Sequence, residues 1–243
     1  VYKKNGFVLC IAKGLIVSFL ICILVSCRAS YPTDHEQLSE EERIVIRFSH
    51  VVGEETPKGL AARKFAKLVK ERTNGRVEVQ VFPNGTFYRD GEEIDALLRG
   101  DIQMIAPATS KLTDLVPEFS VIDLPFAFEN EKEVHSYLTG PIGNELLQKL
   151  LAKGVYPLDI WDNGFKQMTN NRGPLVHLED FMGLKIRIMP SWVLEEQFQT
   201  LQATSVHLTF NEVFQQLEMN GIDGQENTLS NITSRNLFTF SPI

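Results

Sequence analysis

The chain has 243 residues, with 24 Lys and Arg against 31 Asp and Glu and a formal net charge of −7, which excludes the basic face that nucleic-acid binding needs. Its three cysteines, Cys10, Cys22 and Cys27, all lie near the N-terminus, so the rest of the chain has no thiol for a disulfide framework, a zinc cluster or a cysteine nucleophile.

Lys3, Lys4 and Lys13 precede and accompany an apolar run, Leu15 to Val25, that is closed by Ser26-Cys27. This is the layout of a secretory signal, and the run is short against the roughly twenty apolar residues that span a bilayer. Leu24-Val25-Ser26-Cys27 resembles the lipobox of bacterial lipoproteins, which implies cleavage after residue 26 and a lipid anchor on Cys27. Residues 27–43 are polar, with Pro32 and Glu40-Glu41-Glu42, and read as a tether between lipid and domain. The remaining residues, about 200, suffice for one large domain or two small lobes.

Ile44, Ile46 and Phe48 alternate with polar residues, which predicts a strand. A helix follows from about Pro57, with Leu60, Ala61, Phe65, Leu68 and Val69 on one stripe, and Asn74-Gly75 ends it. Val77, Val79 and Val81 predict a second strand before the turn Pro83-Asn84-Gly85, Asp90 to Arg99 a short helix, and Ile102 to Ala106 a third strand. Helices are expected near Glu129 to Leu138 and Ile142 to Lys153, and a strand around Tyr156 to Trp161. Another strand is expected at Leu184 to Met189, then helices at Trp192 to Leu201 and Asn211 to Met219. Strand and helix in alternation give an α/β fold with mainly parallel sheets and two similar lobes. The site is expected where carboxyl ends of strands from both lobes face each other.

No GxGxxG, P-loop, HExxH or GxSxG is present, so neither a cofactor nor a metal is assigned and no enzyme class is favoured. The five histidines lack metal-ligand spacing. His50 stands apart because it ends the first predicted strand, where ligand loops begin. Asp223 and Glu226 offer an acid/base pair, but the expected local structure is a turn at Asp223-Gly224 with Glu226-Asn227 opening a helix.

Three segments carry a resemblance: Asn163-Gly-Phe-Lys-Gln-Met-Thr-Asn170 with Pro174, Gly183-Leu-Lys-Ile-Arg187 with Pro190, and Phe210-Asn-Glu-Val-Phe214 through Leu217 to Gly221-Ile-Asp-Gly-Gln-Glu-Asn227. In this order and spacing they resemble the receptor subunits of tripartite ATP-independent periplasmic (TRAP) transporters. The similarity extends upstream through Gly75-Arg76-Val77, Phe82-Pro83, Gly100-Asp101-Ile102 and Leu124-Pro125-Phe126.

The resemblance implies a periplasmic-binding-protein-like clamshell with lobe I in 44–163 and lobe II in 164–243. It implies that Arg187 clamps a ligand carboxylate, that Asn227 hydrogen-bonds the same group, and that Phe210 packs beside the ligand. Lys166 stands where relatives carry a second basic residue, most often arginine, keeping the charge without the planar fork. Thr86 to Gly91 departs from the family pattern in a region that, with the loops near His50 and Ala108-Thr109-Ser110, helps choose the ligand.

The implied function is an extracytoplasmic receptor, on the periplasmic or outer-surface side of a bacterial membrane. It binds a C4-dicarboxylate or sugar acid and delivers it to TRAP permease subunits. Family members typically continue past the point matching Ile243, so the chain is expected to lack the C-terminal part of both lobes. Three rivals use the same residues: a ligand sensor of the same fold without transport, a lipoprotein hydrolase acting through Asp223 and Glu226, and a truncated non-functional product.

Overall fold

A strand that alternates apolar and polar residues needs a cover for its apolar face, and the chain supplies one immediately. In the computed structural model, which describes residues 43–240, β1 (Ile44–Ser49) leads into α1 (Pro57–Arg72). Thr56 Oγ1 caps this helix by accepting the Gly59 amide at 3.1 Å, and Pro57 sits in its first turn, where no amide is needed. Asn74 and Gly75, both at positive φ, turn the chain into β2 (Val77–Phe82). β2 runs parallel to β1 with Ile46 opposite Val79. α2 (Glu93–Arg99) and β3 (Met104–Ile105) complete a three-stranded sheet in the order β2-β1-β3. Its core is Phe48, Ala62 and Val79 with Phe65 and Val69 packed against them. The signal, Cys27 and nearly all of the tether expected from the sequence lie outside the described residues.

Two 3-10 turns, Thr109–Leu112 and Pro117–Asp123, precede α3 (Glu131–Thr139) and α4 (Pro141–Leu151). Val116 and Phe119 bury themselves against Leu146 and Leu150 here. The strand expected around Tyr156 to Trp161 is not formed. Among the described residues nothing pairs with it, and Tyr156 and Leu158 are 79% and 63% exposed. Apolar spacing alone does not make a strand without a neighbour to hydrogen-bond it.

The second sheet has the order β4-β7-β5-β6, from β4 (Lys166–Asn170), β5 (Lys185–Ile188), β6 (Thr204–His207) and β7 (Gly224–Thr228). β5 is parallel to β6 and β7, whereas β4 is antiparallel to β7. α5 (Trp192–Thr200), α6 (Val213–Glu218) and α7 (Leu229–Ser234) intervene or follow. Leu184, Ile186 and Ile188 pack on Leu194 and Phe198 of α5.

β7 corrects the turn-and-helix reading of residues 223–227, since all five of its residues are buried. Its polar side chains hide the strand from a hydrophobicity pattern, yet they are partnered inside: Gln225 Nε2 donates to Thr169 Oγ1 at 2.8 Å. Gly224 allows the close approach of β4, because a Cβ there would lie 2.3 Å from the Thr169 carbonyl oxygen.

A further core joins the two sheets: Val51 and Val52, just after β1, pack with Phe210, Val213, Leu217, Ile222, Ile232 and Leu237. The α/β, two-lobed architecture expected from the sequence is therefore present. No helix among the described residues is long and apolar enough to cross a membrane.

Candidate ligand site between the two sheets

His50, Asp90 and Lys111 come from the segments that follow β1, β2 and β3, so the carboxyl edge of the first parallel sheet presents all three. The second sheet presents Arg187 near the end of β5, Phe210 after β6 and Asn227 near the end of β7. The two edges touch. Asp90 Oδ2 accepts the Phe210 amide at 2.7 Å, Asn211 Nδ2 donates to the Asn84 carbonyl at 3.2 Å, and Arg235 Nη2 donates to the Val51 carbonyl at 3.1 Å. The turn that brings Asn84 there needs Gly85 at φ 66°, with Asn211 Oδ1 3.3 Å from where a Cβ would be. This is the meeting of strand ends that an open parallel fold uses to bind ligands.

Arg187 is the largest fully buried side chain, 1% exposed. β5 is flanked by β6 and β7, with Arg187 opposite Val206 on one side and Gln225 on the other, so it belongs to an interior strand and not an edge. Its Nε donates to the Leu208 carbonyl at 3.0 Å, and its Nη2 lies 3.9 Å from Asp90 Oδ2. Nη1 has no hydrogen-bond partner among the described residues. Burial lowers the guanidinium from its ordinary value while the charges of Glu226 and Glu212 act the other way. A buried cation with an unused donor is costly unless an anion or polar group completes it.

Asn227 is 4% exposed, and its Oδ1 accepts from the Thr228 amide at 3.0 Å and from Asn231 Nδ2 at 2.8 Å. Those contacts orient the amide so that Nδ2, a donor, is the end left for an anion. Phe210 is 5% exposed within the joint core, and the Arg235 guanidinium stacks 5.2 Å from its ring centroid. His50 is 1% exposed with both ring nitrogens unpartnered among the described residues. Burial first, and then the Lys58 charge, push it down to about 4, so at neutral pH it is an uncharged imidazole with one donor and one acceptor.

Lys166 has a different setting. Its Nζ lies 3.0 Å from Asp123 Oδ1, which also accepts from Ser110 Oγ at 2.7 Å, and 3.2 Å from Glu226 Oε2. Burial opposes its charge, but Glu226 and Asp123 outweigh that and hold the ammonium above its ordinary value. Glu226 is raised by burial, with Lys166 and Arg187 acting against the shift. Asp223 and Glu226 do not form a carboxylate pair: Asp223 accepts Arg172 Nε and Nη2 and the Lys185 amide, each at 2.8 Å.

The sequence reading missed Lys111, Asp90, Lys58 and Glu93. Lys111 Nζ contacts Asp90 Oδ1 and lies 4.0 Å from Glu93 Oε1. Lys58 Nζ donates to the Ala106 carbonyl at 3.1 Å. Burial first, and then Arg187 and Lys58, lower Lys111 to about 7, and burial lowers Lys58 to about 8 against the pull of Glu93. Burial raises Glu93. Lys58, Lys111, Lys166 and Arg187 thus stand among Asp90, Glu93, Asp123 and Glu226, and burial works against the charged form of Lys58, Lys111, Arg187, Glu93 and Glu226 alike. No group of three potential metal ligands occurs among the described residues.

The model of the bacterial extracellular solute-binding protein family 7 matches residues 48–242. The chain is 50% identical over 205 residues to the C4-dicarboxylate-binding protein DctB of Bacillus subtilis, covering 84% of this chain and 59% of that one. It is 46% identical over 197 residues to the C4-dicarboxylate-binding periplasmic protein DctP of Rhodobacter capsulatus, covering 81% and 59%. Among solved structures, a TRAP periplasmic solute-binding protein of Sulfurospirillum deleyianum with bound succinate superposes with a TM-score of 0.80 at 44% identity, covering 82% of this chain and 64% of that one. One from Pseudomonas aeruginosa with bound L-malate gives 0.79 at 39%, covering 82% and 69%. The chain spans 59% of the length of the two curated relatives named here.

Proposed function

This chain belongs to the bacterial extracellular solute-binding protein family 7, and from that premise we propose that it is a receptor that captures a small organic carboxylate outside the cytoplasm and presents it to a TRAP permease. That family is one of solute-binding receptors rather than enzymes. The names of the relatives favour a C4-dicarboxylate within the carboxylate class. The observation that carries the reading is Arg187, buried where the carboxyl edges of the two sheets meet, with Nη1 unpartnered among the described residues.

A guanidinium can give a carboxylate two parallel charged hydrogen bonds. Here Nη1 is free and Nη2 has only a distant neighbour, so the terminal pair of nitrogens is the face that would take the ligand. Asn227 Nδ2 would add a third donor and Phe210 an apolar wall, while neutral His50 would offer a hydrogen bond to a hydroxyl or carboxyl oxygen. Lys166 would act mainly by joining Asp123, at the end of the 3-10 turn Pro117–Asp123, to Glu226 of the second sheet. The lobes, taken as 44–163 and 164–243, would close over the ligand by hinge bending, excluding water and strengthening each contact. Residues 1–26 would be the signal, Cys27 the lipid anchor and 27–43 the tether, holding the receptor at a membrane surface.

Isothermal calorimetry of the chain against succinate, malate, a uronate and a sialic acid tests this. One acid should bind, and Arg187→Ala should abolish it. Undiminished affinity in Arg187→Ala would overturn the clamp.

A further inference from the structure

Asn-Gly occurs in the sequence at Asn5, Asn74, Asn84, Asn163 and Asn220, and the last four pairs fall among the described residues. The pair is chemically soft. The glycine amide nitrogen can attack the asparagine side-chain carbonyl carbon and expel ammonia, closing a five-membered imide, and glycine has no side chain to block the approach. Water then opens the ring at either carbonyl and leaves aspartate or isoaspartate. The balance is one side-chain amide and one water in, one carboxylate and one ammonium out.

All four described asparagines are exposed, so access to water does not separate them. The glycine N–H, whose proton must leave as the nitrogen attacks, does. Gly75 donates to the Lys70 carbonyl at 2.8 Å and Gly221 to the Gln216 carbonyl at 2.8 Å, the bonds that close the ends of α1 and α6 as Schellman turns. Gly85 donates to the His50 carbonyl at 3.0 Å, tying the turn after β2 to the end of β1. In these three pairs the asparagine is also held at positive φ, 50° at Asn74, 59° at Asn84 and 56° at Asn220. Attack there first requires a helix end or a strand-end turn to open.

Asn163-Gly164 differs on each count. It lies in neither helix nor strand, and Asn163 is not at positive φ. The Gly164 N–H donates to a side chain, Asp162 Oδ1 at 2.9 Å, and Asp162 is exposed. That acceptor can swing into water without unfolding any element. Gly164 stands in open space, since a Cβ there would meet nothing within 4 Å.

We propose that Asn163-Gly164 is a self-modification site, at which the folded chain converts Asn163 to aspartate and isoaspartate while its fold preserves Asn74, Asn84 and Asn220. Position gives the reaction a consequence. The pair falls at the junction of the two lobes as divided above, just ahead of Lys166 in β4. Either product adds a negative charge beside Asp162, and isoaspartate also lengthens the connection by one main-chain carbon. The proposal stands whether or not the chain binds a carboxylate.

Ageing the purified, folded chain at mildly alkaline pH tests it, with peptide mass spectrometry reading the conversion and chromatography separating isoaspartate from aspartate. Asn163 should convert about 10-fold faster than Asn74, Asn84 or Asn220, the worth of the turn hydrogen bonds that those sites must first break. Ageing in urea should bring the four rates within about 3-fold, because the reacting pair is the same and the turns are gone. Conversion at another of the four that keeps pace with Asn163 in the folded chain overturns the proposal. So does a lead for Asn163 that survives in urea, since its neighbours in sequence and not the fold would then set the rate. Asn163→Ser should remove the fast phase of ammonia release, and a fast phase that remains places the reaction elsewhere.

Discussion

Two buried groups of cations and carboxylates tie the second sheet to segments that precede it in the chain, and they are built differently. Around Lys166, two carboxylates flank one ammonium, Ser110 completes Asp123, and the lysine is held above its ordinary value. Around Arg187 and Lys111, two cations share Asp90, with Lys58 close by, Nη1 of Arg187 unpartnered among the described residues, and Lys111 driven down to about 7. The first group sets two carboxylates against one ammonium, leaving Asp123 Oδ2 and Glu226 Oε1 without a hydrogen-bond partner among the described residues, and links chain segments 43 residues apart. The second leaves a donor of a buried cation unused, and it is the group proposed to take the ligand in a protein whose net charge is −7. An acidic surface repels anions at long range, so capture of an anion would depend on local donors such as Arg187 Nη1.

The comparison breaks most visibly at Arg187. Arg187→Ala should weaken carboxylate binding by about 3–5 kcal/mol, two to three decades or more, because a desolvated carboxylate is left without its partner. Titration calorimetry reads this directly. Arg187→Lys should recover part of the loss, since the charge returns without the fork. At the other centre the effect should fall on stability. Lys166→Met leaves Asp123 and Glu226, both 2% exposed by side chain, facing each other without a cation. A loss of about 3 kcal/mol in urea unfolding is expected, the low end of the range for a broken buried pair because Lys166 is itself 30% exposed. If Lys166→Met unfolds like wild type but cannot bind, the two centres have been assigned the wrong way round.

A third measurement sharpens the contrast through pH. Lys111 titrates at about 7 in the folded chain against an ordinary value of 10.5, so between these values the unfolded chain holds more protons. Stability should therefore rise with pH through that window and be lowest below about 7. Lys58, at about 8, contributes in the same sense. A carboxylate bound to Arg187 would offset the charge that helps hold Lys111 down and so favour the protonated amine, so binding should take up a proton above about pH 7 and weaken toward pH 9. Binding heats in buffers of different ionisation enthalpy reveal that uptake. It should vanish in Lys111→Met, and persistence there would locate the linkage elsewhere.

Much of the first sheet was legible because its signals are local. α1 announces itself by an apolar stripe, Thr56 and Pro57 at one end and Asn74-Gly75 at the other, and β1 and β2 by alternation. β7 was not legible, since Gly224-Gln-Glu-Asn-Thr228 buries polar side chains whose partners, such as Thr169, lie 56 positions away. The run from Tyr156 to Trp161 misled for the converse reason: its pattern suits a strand, but pairing is a property of neighbours. Arg187 came from resemblance, because a lone arginine in a short apolar strand reads as an edge residue until the strands on both sides are known. Lys111 lies one residue past the Ala108-Thr109-Ser110 loop already tied to ligand choice, and Asp90 lies inside the segment noted for departing from the family pattern. Nothing in sequence spacing puts Asp90 beside the Phe210 amide, 120 residues on.

The smallest effect should come from the remaining carboxylate, Asp223, and it tests whether ionic contacts matter by number or by environment. Asp223 makes more short contacts than Asp90 does, to Arg172 twice and to the Lys185 amide, yet its cation is 68% exposed. Water screens that pair, and an asparagine can still accept the Lys185 amide through its oxygen. Asp223→Asn should therefore cost about 1 kcal/mol or less in urea unfolding and leave carboxylate affinity within about 2-fold. A larger loss of affinity would tie this end of β7 to the site. Turnover of a bound acid that disappears in Asp223→Asn would instead revive the hydrolytic reading of Asp223 and Glu226. The expected null result separates burial from contact as the source of recognition: carboxylates and cations count toward ligand capture where water is excluded and donors are left over.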